Sequence, residues 1–301
     1  MTPSYVKFWK KNIFYRIFDV LNITVMILLS AVMIYPFLNL LAISFSDSVE
    51  YIKGGITIFP RGFTTNAYEM FFSNKRILSA AFMSLARVVV GTTIPLFCTG
   101  LLAYVVSIRS FSGWRFMRIL FLVTMFFSGG LIPSYLLMIN LRLINTFHVY
   151  WIPGLLGAGT MLLIASYIQN LPDGMMESAR IDGCSEFLIY CRIVIPTSIP
   201  VFACMALFAA VGQWNAWFDT VLYNKNGQYD TLQVILQRLL TAAEAVKAIQ
   251  DEMQKQSAMK TMSPETLRAA TSVIVTVPIL LVYPFVQRFF IKGVTIGAVK
   301  A

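Results

Sequence analysis

Six apolar runs, residues 20–43, 79–108, 117–139, 149–169, 198–222 and 269–289, constrain this chain more than any other feature. About 20 apolar residues of helix cross the roughly 30 Å of hydrocarbon in a bilayer, so each run is long enough to cross once. The runs are continuous rather than alternating, and lipid cannot satisfy open backbone groups, so helices are expected and strands are not. The expected fold is therefore an all-α membrane protein with six transmembrane helices. A chain of 301 residues that is 57% hydrophobic and 13% charged is too apolar for an ordinary soluble domain. Its formal charge of +10 would suggest nucleic acid in a soluble protein. Here the cations fall mainly between the runs, where they set topology and meet anionic membrane lipid, and no basic groove interleaved with aromatic residues is visible. No nucleic-acid partner is expected.

Lys7, Lys10, Lys11 and Arg16 precede the first run, and Arg109, Arg115 and Arg118 occupy the connection after the second. The positive-inside rule puts both on the cytoplasmic side, with the Arg142-bearing connection 140–148 outside. The first run exceeds a signal-peptide core and ends in Tyr35-Pro36-Phe37 rather than a small-residue cleavage site, so it reads as a retained anchor. The expected division is a cytoplasmic segment 1–19, a six-helix membrane domain 20–290 and a cytoplasmic tail 291–301. Loop 44–78, with Gly54-Gly55, Pro60 and Gly62, reads as a turn-rich outer cap. Loop 223–268 carries Leu232, Ile235, Leu236, Leu239, Leu240 and Ala243 at helical spacing, an amphipathic outer helix that packs on the spans or meets a partner. Ser263-Pro264-Glu265 reads as the start of the last helix.

The inner loop 172–196 is the one substantial polar stretch on the cytoplasmic side. Helical propensity runs from Asp173 through Ile181, Gly183 suits the left-handed residue that ends a helix, and a second helical run resumes from Cys184 to Ile195 before Pro196 and Pro200. Two helices meeting at a glycine form a rigid knob suited to a partner's groove; a solvated interhelical loop is the plain alternative.

Glu177-Ser178-Ala179-Arg180-Ile181-Asp182-Gly183, followed by Ile193-Val194-Ile195-Pro196, resembles the Glu-Ala-Ala-x-x-x-Gly loop of permease subunits in bacterial ATP-binding-cassette (ABC) importers. Ser178 and Cys184 replace the family's usual alanines. Gly129-Gly130-Leu131-Ile132-Pro133, Gly212 to Phe218 and the tail from Phe290 to Lys300 look like the branch that imports oligosaccharides. The resemblance implies a type I importer permease fold in a bacterial cytoplasmic membrane, with a coupling helix that carries Glu177, Ser178, Ala179, Asp182 and Gly183. It also implies a second permease subunit, two copies of a cytoplasmic ATPase holding ATP and magnesium, and an extracytoplasmic sugar-binding protein.

No Gly-x-x-x-x-Gly-Lys-Ser/Thr sequence is present, so this chain lacks a phosphate cradle. His148 is the only histidine, and Cys98, Cys184, Cys191 and Cys204 lack metal-ligand spacing, so no catalytic, cofactor or metal site is expected. Polar groups inside a span are costly unless they face a cavity or a partner, which singles out Gln213, Trp214, Asn215 and Trp217 as the substrate path. Indoles cover the C–H face of a pyranose and amides meet its hydroxyls; interhelical hydrogen bonding and an interfacial tryptophan belt are the rival roles. Arg87 either meets an anionic sugar or pairs with another helix. Prolines 95, 133, 153, 278 and 284 interrupt runs and allow bends. Rival functions are an amino-acid or peptide permease, an ion-coupled carrier and an intramembrane enzyme.

Overall fold

The computed structural model describes residues 13–241 and 264–298, and the described residues form helices joined by turns, with a single isolated β-bridge between Ser46 and Phe63. The N-terminal lysines, Ala243, Ser263 and the last three residues lie outside them. The chain divides into two compact units.

The first unit contains α1 (Ile13–Ser44), α2 (Ser48–Ile52), most of α3 (Asn66–Ser73) and the beginning of α14 (Pro264–Ala298). The most apolar stretch of α1 buries none of its side chains within the chain, the pattern of a helix whose neighbours are lipid or another subunit. Phe45 stacks between Phe63 and Tyr68 with ring centroids 5.4 and 4.8 Å away, and Asn39 Nδ2 donates to the Ile56 and Thr57 carbonyls at 3.0 and 2.8 Å.

The second unit is built on α4 (Lys75–Ser107), which packs against α7 (Ala158–Ile168) and α11 (Ile199–Asn215). Around it lie α5 (Trp114–Phe126), α6 (Leu131–Asn140), α8 (Asp173–Ile181), α9 (Glu186–Ile189), α10 (Ile195–Thr197) and α12 (Phe218–Tyr223). Residues 232–241 form the described part of α13, and α13 begins where the Leu232 N–H donates to Ser84 Oγ of α4 at 2.8 Å. The first residue of α13 thus contacts α4 of this unit. Its core gathers Ala103, Tyr104, Met161, Ile164, Ile168, Ile189, Tyr190 and Val194, all essentially inaccessible.

The six apolar runs take unequal forms in the structure. Among the described residues, three helices, α1, α4 and α14, are long and apolar enough to cross as single elements, and up to five crossings result if each of two bent pairs is one span. Run 117–139 breaks between α5 and α6 with a bend of 119°, at Gly130, whose φ of 85° and ψ of 175° lie in a region only glycine occupies readily. Run 149–169 contains one short 3-10 turn and then irregular backbone through Pro153 and Gly154; only α7, 11 residues and so about 16 Å long, is α-helical. Run 198–222 is α11 and α12 separated at Ala216 and Trp217, and Glu186–Thr197 meets α11 at 85° about Ser198. α14 runs on as one helix to Ala298, into the segment 291–301.

Candidate functional site

Of the places in the second unit that bring polar side chains together, two hold the expected site residues, one on the α8 knob and one between α4, α11 and α12.

The knob is defined by its C-terminal cap. Asp182 N–H donates to Ser178 O at 2.9 Å, Gly183 N–H to Arg180 O and Cys184 N–H to Ala179 O, both at 3.0 Å. This nested pair around Gly183, at φ 80°, satisfies carbonyls that a helix end otherwise leaves open, while Ala179 and Cys184 pack in the core beneath. A Cβ at position 183 would meet nothing within 4 Å, so the glycine is required by conformation rather than by space. Met176 and Ala179 face inward at 9% and 7% exposure; Glu177, Ser178 and Asp182 face solvent, as does Ile181 at 82%. The second helical run starts at Glu186 rather than Cys184, because Ser185 caps it by accepting from Leu188 N–H, and it contains one π-turn over Tyr190–Val194. A cleft of about 630 Å³ runs beside the knob, lined by Arg109, Gln169, Glu177, Arg180 and Ile181 among others.

The second place is buried. Arg87 is 2% exposed and every arm of its guanidinium is engaged: Nε donates to Gln213 Oε1 at 2.9 Å, and Nη1 to Thr220 Oγ1 at 2.9 Å, Asp219 Oδ1 at 3.1 Å and Ala216 O at 3.4 Å. Nη2 pairs with Asp219 Oδ2, and the guanidinium carbon lies 4.5 Å from the centre of the Tyr150 ring. The helix-pairing reading of Arg87 is the one the geometry supports, with Asp219 as a counter-ion that the sequence did not single out. Arg87, Tyr150, Gln213 and Asp219 line a cavity of about 370 Å³ together with Gly212 and Tyr223.

Gln213 has a backbone reason for its position. Pro95 carries no N–H, so the carbonyl four residues earlier, Gly91 O, has no helical donor. Gln213 Nε2 donates to that carbonyl at 3.4 Å and to Tyr150 O at 3.3 Å. Only glycine permits the approach, since a Cβ at position 91 would come within 2.8 Å of Gln213 Cδ. Thr99 does similar work for the irregular stretch after Tyr150: its hydroxyl donates to Leu155 O at 3.2 Å and accepts from Gly157 N–H at 3.1 Å. Non-helical backbone at membrane depth needs such partners.

Trp214 and Trp217 stand on different elements. α11 ends at Asn215, Ala216 is extended, and Trp217 lies before α12, so Trp214 and Trp217 do not share a helical face. Trp214 is buried, and its indole N–H donates to Val275 O at 3.0 Å, one turn before Pro278. Asn215 Oδ1 accepts from Gln233 Nε2 at 3.2 Å, and Trp217, 38% exposed, packs edge-on against Phe218. Of the residues expected to face cargo, Gln213 and Arg87 line the cavity. Among the described residues, no three His, Cys, Asp or Glu side chains cluster as metal ligands.

Residues 72–296 match the model of a family described as the binding-protein-dependent transport system inner membrane component. Protein LplC of Bacillus subtilis is 38% identical over 286 residues, covering 95% of each chain. The polygalacturonan/rhamnogalacturonan transport system permease protein YtcP of the same organism is 32% identical, over 95% of this chain and 99% of its own. The arabinooligosaccharides transport system permease protein AraQ of Halalkalibacterium halodurans is 28% identical over 89% and 91%. Among solved structures, a chain of a bacterial ABC transporter involved in import of the acidic polysaccharide alginate superposes with TM-score 0.83, covering 96% of this chain and 100% of that one at 24% identity, a likeness of fold.

Proposed function

The chain belongs to the family of binding-protein-dependent transport system inner membrane components, and from that premise we propose that its α8 knob couples a separate ATPase to oligosaccharide import. It is a membrane-embedded transport subunit of an ABC importer with the type I permease fold, and the ATP is hydrolysed elsewhere. The cargo is read as oligosaccharide because the named relatives carry polygalacturonan, rhamnogalacturonan and arabinooligosaccharides.

The observation that carries the coupling reading is the self-capped end of α8. Its inner face is buried through Met176 and Ala179, while Glu177, Ser178 and Asp182 present a rigid polar surface with Ile181 as an apolar anchor. A rigid body with one face in the span core and the other free transmits force without unfolding. In this reading the knob seats in a cytoplasmic ATPase, both termini are cytoplasmic, and the complex contains a second permease, two ATPase copies with ATP and magnesium, and an extracytoplasmic binding protein. Nucleotide and loaded binding protein favour the same conformation, each by its differential affinity. The cavity beside Arg87 is this chain's share of the route, and it reads hydroxyls rather than carboxylates, because the guanidinium is already neutralised by Asp219.

The test is reconstitution of the whole complex in liposomes with labelled oligogalacturonides and arabino-oligosaccharides as probes. Uptake that requires ATP, the binding protein and an intact 177–183 segment is the expected result. Transport by the lone chain would replace this reading with a carrier. A Ser178→Cys variant labelled by an impermeant thiol reagent only from the cytoplasmic face fixes the side on which the knob lies.

A further inference from the structure

We propose that Glu186, held jointly by Arg180 and Tyr104, is the positioning residue through which movement of the α8 knob reaches the long span α4. The inference rests on the coupling reading above and assigns its internal linkage.

Between the end of α8 and the start of α9 the chain makes its glycine turn, and one ion pair closes across that turn. Arg180 Nε donates to Glu186 Oε1 at 2.7 Å and Arg180 Nη2 to Glu186 Oε2 at 3.3 Å. The Tyr104 hydroxyl of α4 donates to Glu186 Oε2 and accepts from Arg180 Nη2 at 3.3 Å. One carboxylate thus joins three segments. The hydrogen bonds from Arg180 hold the Glu186 carboxyl below the usual carboxylate range against the opposing effect of burial, and the Tyr104 bond adds to this, so the group stays ionised. Behind the clasp, the Tyr104 ring is 1% exposed and stacks on Tyr190 at 6.0 Å, and the Tyr190 hydroxyl donates to Phe97 O, again in α4, at 2.9 Å.

Stability does not account for this arrangement. The Arg180 and Glu186 side chains are 37% and 54% exposed, and ion pairs that open to solvent contribute little to folding. What the fork of Arg180 supplies is direction, because two parallel N–H···O bonds fix the relative angle of the groups they join. The other links from α8 to the span core, Met176 and Ala179, are apolar packing contacts that resist separation but not sliding. A knob held by those alone could shift without turning α4.

The experiment uses the complete complex, with ATPases, second permease and binding protein, in liposomes loaded for uptake of labelled oligogalacturonides and arabino-oligosaccharides. Glu186→Gln and Tyr104→Phe are expected to assemble and to hydrolyse ATP as the wild type does, while sugar moved per ATP falls about fivefold. Arg180→Glu alone should show the same loss, and the reciprocal Arg180→Glu/Glu186→Arg pair should recover most of it. Wild-type yield per ATP in Glu186→Gln overturns the proposal. So does a parallel fall of assembly and uptake at constant yield per ATP, which marks a merely structural contact. A wild-type complex that moves no sugar at the expense of ATP overturns the coupling reading and the clasp together, whereas a coupled wild type with unaffected variants removes the clasp alone.

Discussion

The α8 knob and the Arg87 cavity belong to the same compact unit, yet they are built by opposite rules. The knob is local: helix, cap and the return of the chain occupy fewer than 20 consecutive residues, and its ion pair joins positions six apart in an exposed setting. The cavity is assembled from distant pieces, with the buried Arg87 and the partly buried Asp219 separated by 132 positions. A local, solvated element can move as a body and be altered with little damage to the fold. A buried network of long-range partners fixes the fold and tolerates little.

That contrast can be broken most easily at the cavity. Asp219→Ala leaves the Arg87 guanidinium buried without its counter-ion, and a loss of about 3 kcal/mol is expected. Thermal unfolding of the purified complex measures it, and the double variant Arg87→Met/Asp219→Ala should recover part of the loss. A neutral outcome for the single variant would show the cavity to be as permissive as the knob. Next in size, Thr99→Val removes the hydroxyl that bridges Leu155 O and Gly157 N–H, leaving two partly buried backbone groups without that partner at a cost of about 2 kcal/mol by the same measurement.

At the knob, Gly183→Val forces a β-branched residue into the left-handed region at about 1–2 kcal/mol, whereas Gly183→Asn should be tolerated because nothing crowds the site. The expected signature is loss of ATPase co-purification for Val but not Asn, with the melting temperature of the membrane domain unchanged; equal loss for both would mean that side-chain bulk matters after all. The smallest effect sharpens the comparison. Trp214→Phe removes one hydrogen bond to Val275 O, about 1 kcal/mol of stability, and leaves the preference among sugars as it was. A changed preference would return Trp214 to the cargo route.

The same distinction explains what could be read in advance. Gly183 and the helix before it were legible because every signal needed lies within one turn of the chain. The breaks at Gly129-Gly130 and Pro153-Gly154 were marked by their residues, since prolines 133 and 153 allow bends, but the size of each bend depends on packing that those residues do not encode. Trp214 and Trp217 are three apart, a spacing that shares a face only within one helix; α11 stops at Asn215, so the spacing has no helix to act on. Asp219 was missed for a different reason. A buried arginine predicts a counter-ion, but position along the chain does not say which carboxylate comes into reach, and only packing of α4 against α11 and α12 selects it.

The exchange between Pro95 and Gln213 ties two distant codons to one another. Restoring an ordinary residue at position 95 would put a main-chain donor back in competition for the Gly91 oxygen, and the displaced amide would swing into the chamber with a free hydrogen to offer. Drift at either position is therefore expected to draw the other along, and descendants that straighten this bend should also have relinquished the glutamine.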